Sequence, residues 1–264
     1  MSIHYGGMGR ILKFARTKAG LTQDQLAQRL NVSTSLIAKF ETNRLVPQSD
    51  TARKLDVVFD AGDTFQESAA EARAYAPDTA WFQPWLDYEQ HATMVRSFQL
   101  AVVPGLLQTE EYARAVLRDA GTRVPDVEVK VAERLARAEI LRREQDQCRL
   151  FAVLDEAVLR RPVGGSKVMA DQLHAIVQAC ARPNVSVVVV PASVGAYPGL
   201  NGPLALATVQ GRTVAFLDDP LDGHVIEDQE RVTALEEAWE AIRGYALPGQ
   251  ASLELLMEAA ESWS

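Results

Sequence analysis

The chain has 264 residues, 47% hydrophobic and 23% charged, with a formal net charge of −8. This composition excludes a disordered or fibrous chain and the length fits two domains, while no apolar run reaches the ~18 residues a membrane span needs. The N-terminal stretch lacks the apolar core of a secretory signal. Cys148, Cys180 and four scattered histidines lack the spacing of a zinc site or a disulfide framework, which points to reduced thiols in the cytoplasm.

The net charge hides a division. Residues 1–60 hold nine Lys or Arg against five Asp or Glu, a local +4, which leaves −12 on the remainder. Local charge, rather than the total, governs attraction to a polyanion.

From Gly9 the chain reads as short helices. In "RILKFARTKAGLT" the apolar residues Ile11, Leu12, Ala15 and Ala19 recur at helical spacing, and Gly20 stops the helix. Thr22 caps the next helix and Gln25 completes a capping box; Leu26, Ala27 and Leu30 face inward and the helix ends at Asn31. Ser33 caps a third helix with Leu36, Ile37 and Phe40 inward. A fourth follows "VPQSD", with Ser49 as its cap and Ala52, Leu55, Val58 and Phe59 toward the core. "TFQESAAEARAYA" forms the fifth.

Three positions make the second and third helices a specific pair. Ala27 is small where the helices approach, Asn31 suits a left-handed turn, and Ile37 locks the second helix onto the first. Residues 9–60 resemble the Xre/Cro-type helix-turn-helix domain of bacterial and phage repressors, through "GLTQDQLAQRLNVSTSLIAKFETNRLVPQ". The resemblance implies that Ser33 to Thr42 is a recognition helix lying in the major groove. It places Thr34, Ser35 and Lys39 at base edges, and Gln23, Asn43 and Arg44 on the phosphate backbone. Arg16 and Glu41 match a structural ion pair, not DNA contacts.

Around residues 76–80 prolines and aromatics mark a boundary, giving domains 1–76 and 77–264. Trp81, Phe82, Trp85 and Tyr88 either begin a new core or line a ligand pocket. Pro104-Gly105 makes a turn, and Thr109 caps a helix that opens with Glu110 and Glu111. "DVEVKVAERLARAEILRRE" reads as one long amphipathic helix with Val127, Val131, Leu135, Ala138 and Leu141 on its apolar side. Arg134, Arg137, Arg142 and Arg143, interleaved with Glu133, Glu139 and Glu144, read as its solvated face. Then come a strand in "CRLFAVLDEAVL", a helix burying Val168, Met169, Leu173, Ile176 and Val177, and a buried strand in "NVSVVVVP": one right-handed parallel β-α-β unit. "PLALATVQGRTVAFLDDP" is a hairpin about Gln210-Gly211. Two helices close the chain, with Leu235, Trp239, Ile242, Leu253, Leu255 and Leu256 serving either a dimer face or the core. The expected fold class is thus an all-α head of five helices followed by a mixed α/β domain with a small sheet.

No nucleotide-binding glycine motif, zinc-protease motif or nucleophile elbow occurs, so no enzyme, cofactor or metal is expected. Asp218, Asp219, Asp222, His224, Glu227 and Asp228 form the one tempting cluster, but carboxylates entering a helix are ordinary. "VPGLLQTEEYARAVL", the Arg/Glu helix and "VVVVPASVGAYPGLNGPLAL" resemble a C-terminal domain of unknown function found in actinobacterial, WhiJ-like and antitoxin-like Xre regulators. The resemblance spans roughly residues 80–262 and implies a small partner protein encoded nearby. The expected function is therefore a sequence-specific regulator, a repressor, that binds double-stranded operator DNA as a homodimer. Its C-terminal domain engages the partner or dimerises. The alternatives are an antitoxin-like neutraliser of a small protein and a regulator sensing a small-molecule effector.

Overall fold

The computed structural model describes residues 6–42, 45–74, 82–119, 126–218 and 223–264. Contacts divide the chain into two compact units, Met1–Asp87 with Asp219–Arg231, and Tyr88–Asp218 with Val232–Ser264.

The first unit opens with five helices: α1 (Gly6–Lys18), α2 (Gln23–Leu30), α3 (Thr34–Glu41), α4 (Ser49–Phe59) and α5 (Thr64–Ala74). Their shared core contains Leu12, Leu26, Ala27, Leu30, Ile37, Phe40, Ala52, Leu55 and Phe65. Two boundary details depart from expectation. The N-cap of α4 is Gln48, whose carbonyl accepts from Ala52 N–H at 2.8 Å, so Ser49 is already inside the helix. Ile11 is 36% exposed, and Leu12 takes the inward position of α1.

α6 (Gln83–Glu89) leads to strand β1 (Met94–Gln99). The elements that follow are α7 (Glu110–Asp119), α8 (Val127–Arg137), β2 (Arg149–Asp155), α9 (Ala157–Arg160), α10 (Ser166–Ala179) and β3 (Val185–Val190). The chain ends with β4 (Leu204–Val209), β5 (Arg212–Asp218), β6 (Gly223–Ile226), α11 (Gln229–Arg243) and α12 (Gly249–Ser262). The six strands run in the order β3-β2-β1-β4-β5-β6. β1 pairs in parallel with β2, and β2 with β3, placing Phe98, Val153 and Val188 in one row. β4 lies antiparallel to β1 and turns into β5 through Gln210 and Gly211, both at positive φ as a two-residue hairpin requires.

The sequence does not announce two of the six strands, the short β6 and the central β1. In β1, Arg96 breaks the apolar pattern and is answered by Glu236 of α11. On β3, Val189 N–H donates to Ser252 Oγ at 3.0 Å and Val189 O accepts from Leu247 N–H at 2.8 Å. Those two bonds satisfy backbone groups that β2 does not pair.

The expected long helix is shorter. α8 stops at Arg137 and tightens into a 3-10 turn over Ala138–Leu141, a common way for a helix to end. The terminal helices spend their large apolar residues on the core: Trp239, Ile242 and Leu256 are 1%, 3% and 0% exposed, and Trp239 meets Phe151 edge-on at 6.1 Å. Those three belong to the core, whereas Leu235, Leu253 and Leu255 are half-buried. Trp85, one of the boundary aromatics, is buried, whereas Trp81 lies outside the described residues.

Candidate nucleic-acid interface

The geometry of α2 and α3 follows from local chemistry. Thr22 N–H donates to Gln25 Oε1 at 2.8 Å and Gln25 N–H to Thr22 Oγ1 at 3.1 Å, closing the capping box. Asn31 ends α2 at φ 56°, ψ 45°, a left-handed residue whose N–H reaches back to the last turn. That single residue reverses the chain. Ser33 Oγ then accepts from Leu36 N–H at 3.2 Å and starts α3.

The angle between helices is held by an ion pair. Arg16 of α1 donates through Nε and Nη2 to the two oxygens of Glu41 in α3, the second at 3.1 Å. Arg16 Nη1 also reaches Leu21 O at 2.7 Å, and Gln23 Nε2 donates to Glu41 Oε2 at 2.8 Å. Burial alone would raise the Glu41 carboxyl. The Arg16 and Gln23 hydrogen bonds outweigh it and hold the group below the ordinary carboxylate range. The guanidinium of Arg16 is raised in turn by Glu41.

Thr34 and Ser35 are exposed in the first turn of α3, and Lys39 stands one turn on from Ser35. Thr34 Oγ1 donates to Asp24 Oδ1 of α2. Lys39 Nζ lies 2.9 Å from Asp87 Oδ2 of α6, both side chains about a quarter exposed (29% and 27%). Gln23, expected on the phosphate backbone, has one amide hydrogen on Glu41 and is half-buried. Asn43 and Arg44 lie outside the described residues. Sequence reasoning missed Asp24 and Asp87 as partners of this face; Asp87 stands 48 residues beyond Lys39, and no local signal links them.

The acidic stretch turns toward the same unit. Asp228 Oδ2 lies 3.6 Å from Lys54 Nζ and 3.5 Å from Asn31 Nδ2, and its Oδ1 accepts from Arg231 N–H at 3.2 Å. The bond from Arg231 N–H, opposed by burial, leaves the Asp228 carboxyl below its usual value. Asp219 and Asp222 fall outside the described residues. Among the described residues no group of His, Cys, Asp and Glu could hold a metal, and no helix is long and apolar enough to cross a membrane.

In the second unit, polar groups at the carboxyl ends of the parallel strands are spent on packing. Tyr197 O–H donates to Asp155 Oδ2 at 2.7 Å, and Ala192 N–H to Glu156 Oε2 at 2.9 Å. Burial, then the bond to Asp155, push the Tyr197 phenol well above its usual value. Burial likewise pushes the Cys148 thiol up to about 11, so it stays protonated at neutral pH.

Residues 8–67 match a helix-turn-helix domain, and residues 82–258 match a domain of unknown function, DUF5753. No curated protein and no solved structure matches the chain. The helix-turn-helix domain points to a DNA-binding regulator, and the second match covers well over half of the molecule. The chain belongs to the family defined by the DUF5753 domain, here joined to an N-terminal helix-turn-helix domain.

Proposed function

We propose that the protein is a cytoplasmic, sequence-specific transcriptional regulator of the Xre type, a repressor and not an enzyme, that binds operator DNA as a homodimer. The observation that carries this reading is the pair α2–α3: both helices capped, a left-handed turn at Asn31, and Thr34 and Ser35 open to solvent. In this reading α3 lies in the major groove. Lys39 donates to guanine N7 and O6, a thymine methyl packs on Thr34, and Ser35 accepts or donates at a base edge. Gln23, Asn43 and Arg44 fix the register on phosphates. DNA must draw Lys39 from Asp87 and Thr34 from Asp24, so each contact is an exchange of partners.

Residues 1–76 act as the DNA head and residues 77–264 as the effector part. The −12 charge outside residues 1–60 supports that division, since it keeps the effector part off DNA. A single head with three base contacts binds weakly; two heads on half-sites about 34 Å apart give a regulator's affinity. The effector part joins the two copies or engages a small partner protein encoded nearby.

The test is binding of the purified full-length chain to DNA from its own promoter region at several salt concentrations, beside a Lys39→Ala/Arg44→Ala variant. Expected is selective binding whose logarithm falls with log salt by about 0.9 per phosphate neutralised, weakened at least about tenfold in the variant. Sequence-indifferent binding, or equal binding by the variant, would overturn the reading.

A further inference from the structure

Two arginines of α8 turn inward, contrary to the solvated face that their interleaved glutamates suggest. Arg137 donates from Nε and Nη2 to the two oxygens of Glu89 at 2.6 and 2.8 Å. Glu89 is 4% exposed, so one buried carboxylate has both oxygens bonded to one guanidinium. Arg134 is treated differently. Its hydrogen bond runs from Nη1 to Gln108 Oε1 at 3.1 Å, and Gln108, itself buried, is anchored by its amide on Val103 O at 2.7 Å. Among the described residues no carboxylate pairs with Arg134. A largely enclosed cation beside a second guanidinium is thus served by a neutral amide.

The imbalance has a measurable consequence. Burial, then repulsion from Arg137, lower the Arg134 guanidinium to about 10 despite the opposing pull of Glu89. Removing an arginine from water without an answering charge is unfavourable, and an anion would relieve it. The unspent part of Arg134 is its Nε–Nη2 edge, the pair of parallel donors that matches two oxygens of one group. That edge is not sealed. The fully buried side-chain nitrogens and oxygens without a partner are Arg96 Nε and Asn184 Oδ1 among the described residues, so the free nitrogens of Arg134 still touch solvent.

We propose that Arg134 is a binding site for a small oxyanion, the carboxylate or phosphate group of a small molecule, held on the Nε–Nη2 edge. Gln108 fixes the guanidinium plane, and Arg137 adds a second positive charge. The half-buried setting admits a small group more readily than the flat face of a macromolecule, and the −12 charge outside residues 1–60 disfavours a polyanion. This inference is independent of the DNA-binding reading.

The test is the thermal midpoint of the full-length chain, without DNA, in inorganic phosphate, acetate or chloride at matched ionic strength. A probe at ten times its Kd raises the midpoint by about 3 °C for a protein of this length. Wild-type protein should show that rise over chloride in phosphate, in acetate or in both. Phosphate alone would identify a phosphate ligand, and a rise in acetate would show that a carboxylate suffices. Arg134→Met, which keeps much of the stem and removes the charge, should lose the difference. Arg134→Lys, which keeps the charge without the edge, should lose most of it and stands in if the first variant does not fold. No rise over chloride in wild-type protein, or an equal rise in the variants as general salt exclusion would give, overturns the proposal.

Discussion

Glu41 is the meeting point of three helices: its carboxylate receives both prongs of the Arg16 guanidinium from α1 and the Gln23 amide from α2. The side chains of Arg16 and Glu41 are 11% and 3% exposed, so this pair sits in the core of the head. Removing one partner strands the other charge, which costs about 3 kcal/mol or more. Glu41→Ala should lower the stability of the N-terminal unit by that order in urea unfolding, and DNA affinity should fall with it. A loss under ~1 kcal/mol would mean that the pair is solvated in solution.

The same carboxylate sets a pH dependence. Glu41 and Asp228 both titrate below their ordinary values in the folded state, so the unfolded chain binds more protons as pH falls. Their stabilisation is complete above about pH 5 and is lost as the pH drops through the folded values, below the ~4 of free carboxylates. Urea midpoints measured from pH 7 to pH 3 should fall at the acid end. The fall should be shallower in Glu41→Gln, which has no carboxyl to protonate there.

Lys39 and Asp87 offer a direct way to tune binding. If Lys39 reads a base, its bond to Asp87 competes with DNA, and a partly exposed pair of this kind is worth up to about 1 kcal/mol. Asp87→Asn should therefore tighten DNA binding by up to about fivefold, the equivalent of that energy. The gain should vanish when Lys39→Ala is added. Unchanged affinity in the single variant would remove Lys39 from the set of base contacts.

The head was legible because its signals are local. Caps act over three residues, the turn needs one left-handed residue, and Leu26, Ala27, Leu30, Leu36, Ile37 and Phe40 follow helical spacing. The same is true of β2, β3 and the β4–β5 hairpin, which announce themselves by apolar runs and a turn. What stayed hidden depends on distant partners. β1 contains Arg96, tolerable in a central strand because Glu236, 140 residues on, answers it. Arg134 and Arg137 share a helix with glutamates yet point inward, drawn by Gln108 and Glu89. Gln172 is polar and fully buried on α10 because it accepts from Thr109 N–H at 2.7 Å and donates to Leu107 O at 2.8 Å.

Asn31 separates backbone need from side-chain chemistry. At φ 56° a branched residue is disfavoured by about 1–2 kcal/mol, whereas glycine is at ease. Asn31→Val should destabilise the head by that amount, measured as a shift in its urea midpoint. Asn31→Gly should stay within about 0.5 kcal/mol of wild type, since the bond it forfeits to Asp228 is a long one of 3.5 Å.

Gly199 makes the corresponding demand in the second unit. It lies where the loop after β3 folds against the sheet, and a Cβ there would stand 2.3 Å from the Tyr197 ring and 2.6 Å from the Phe98 ring. Those rings meet edge-on at 6.2 Å, and Phe98 is fully buried in β1, so neither can simply swing aside. Gly199→Ala should destabilise the unit by about 1–3 kcal/mol through overpacking. It should also disturb the bond from Tyr197 to Asp155 that ties this loop to the end of β2. Tyr197→Phe keeps the ring and loses only that bond, so its cost should be nearer 1 kcal/mol. Equal losses in the two variants would place the strain in the hydrogen bond and not in the ring packing.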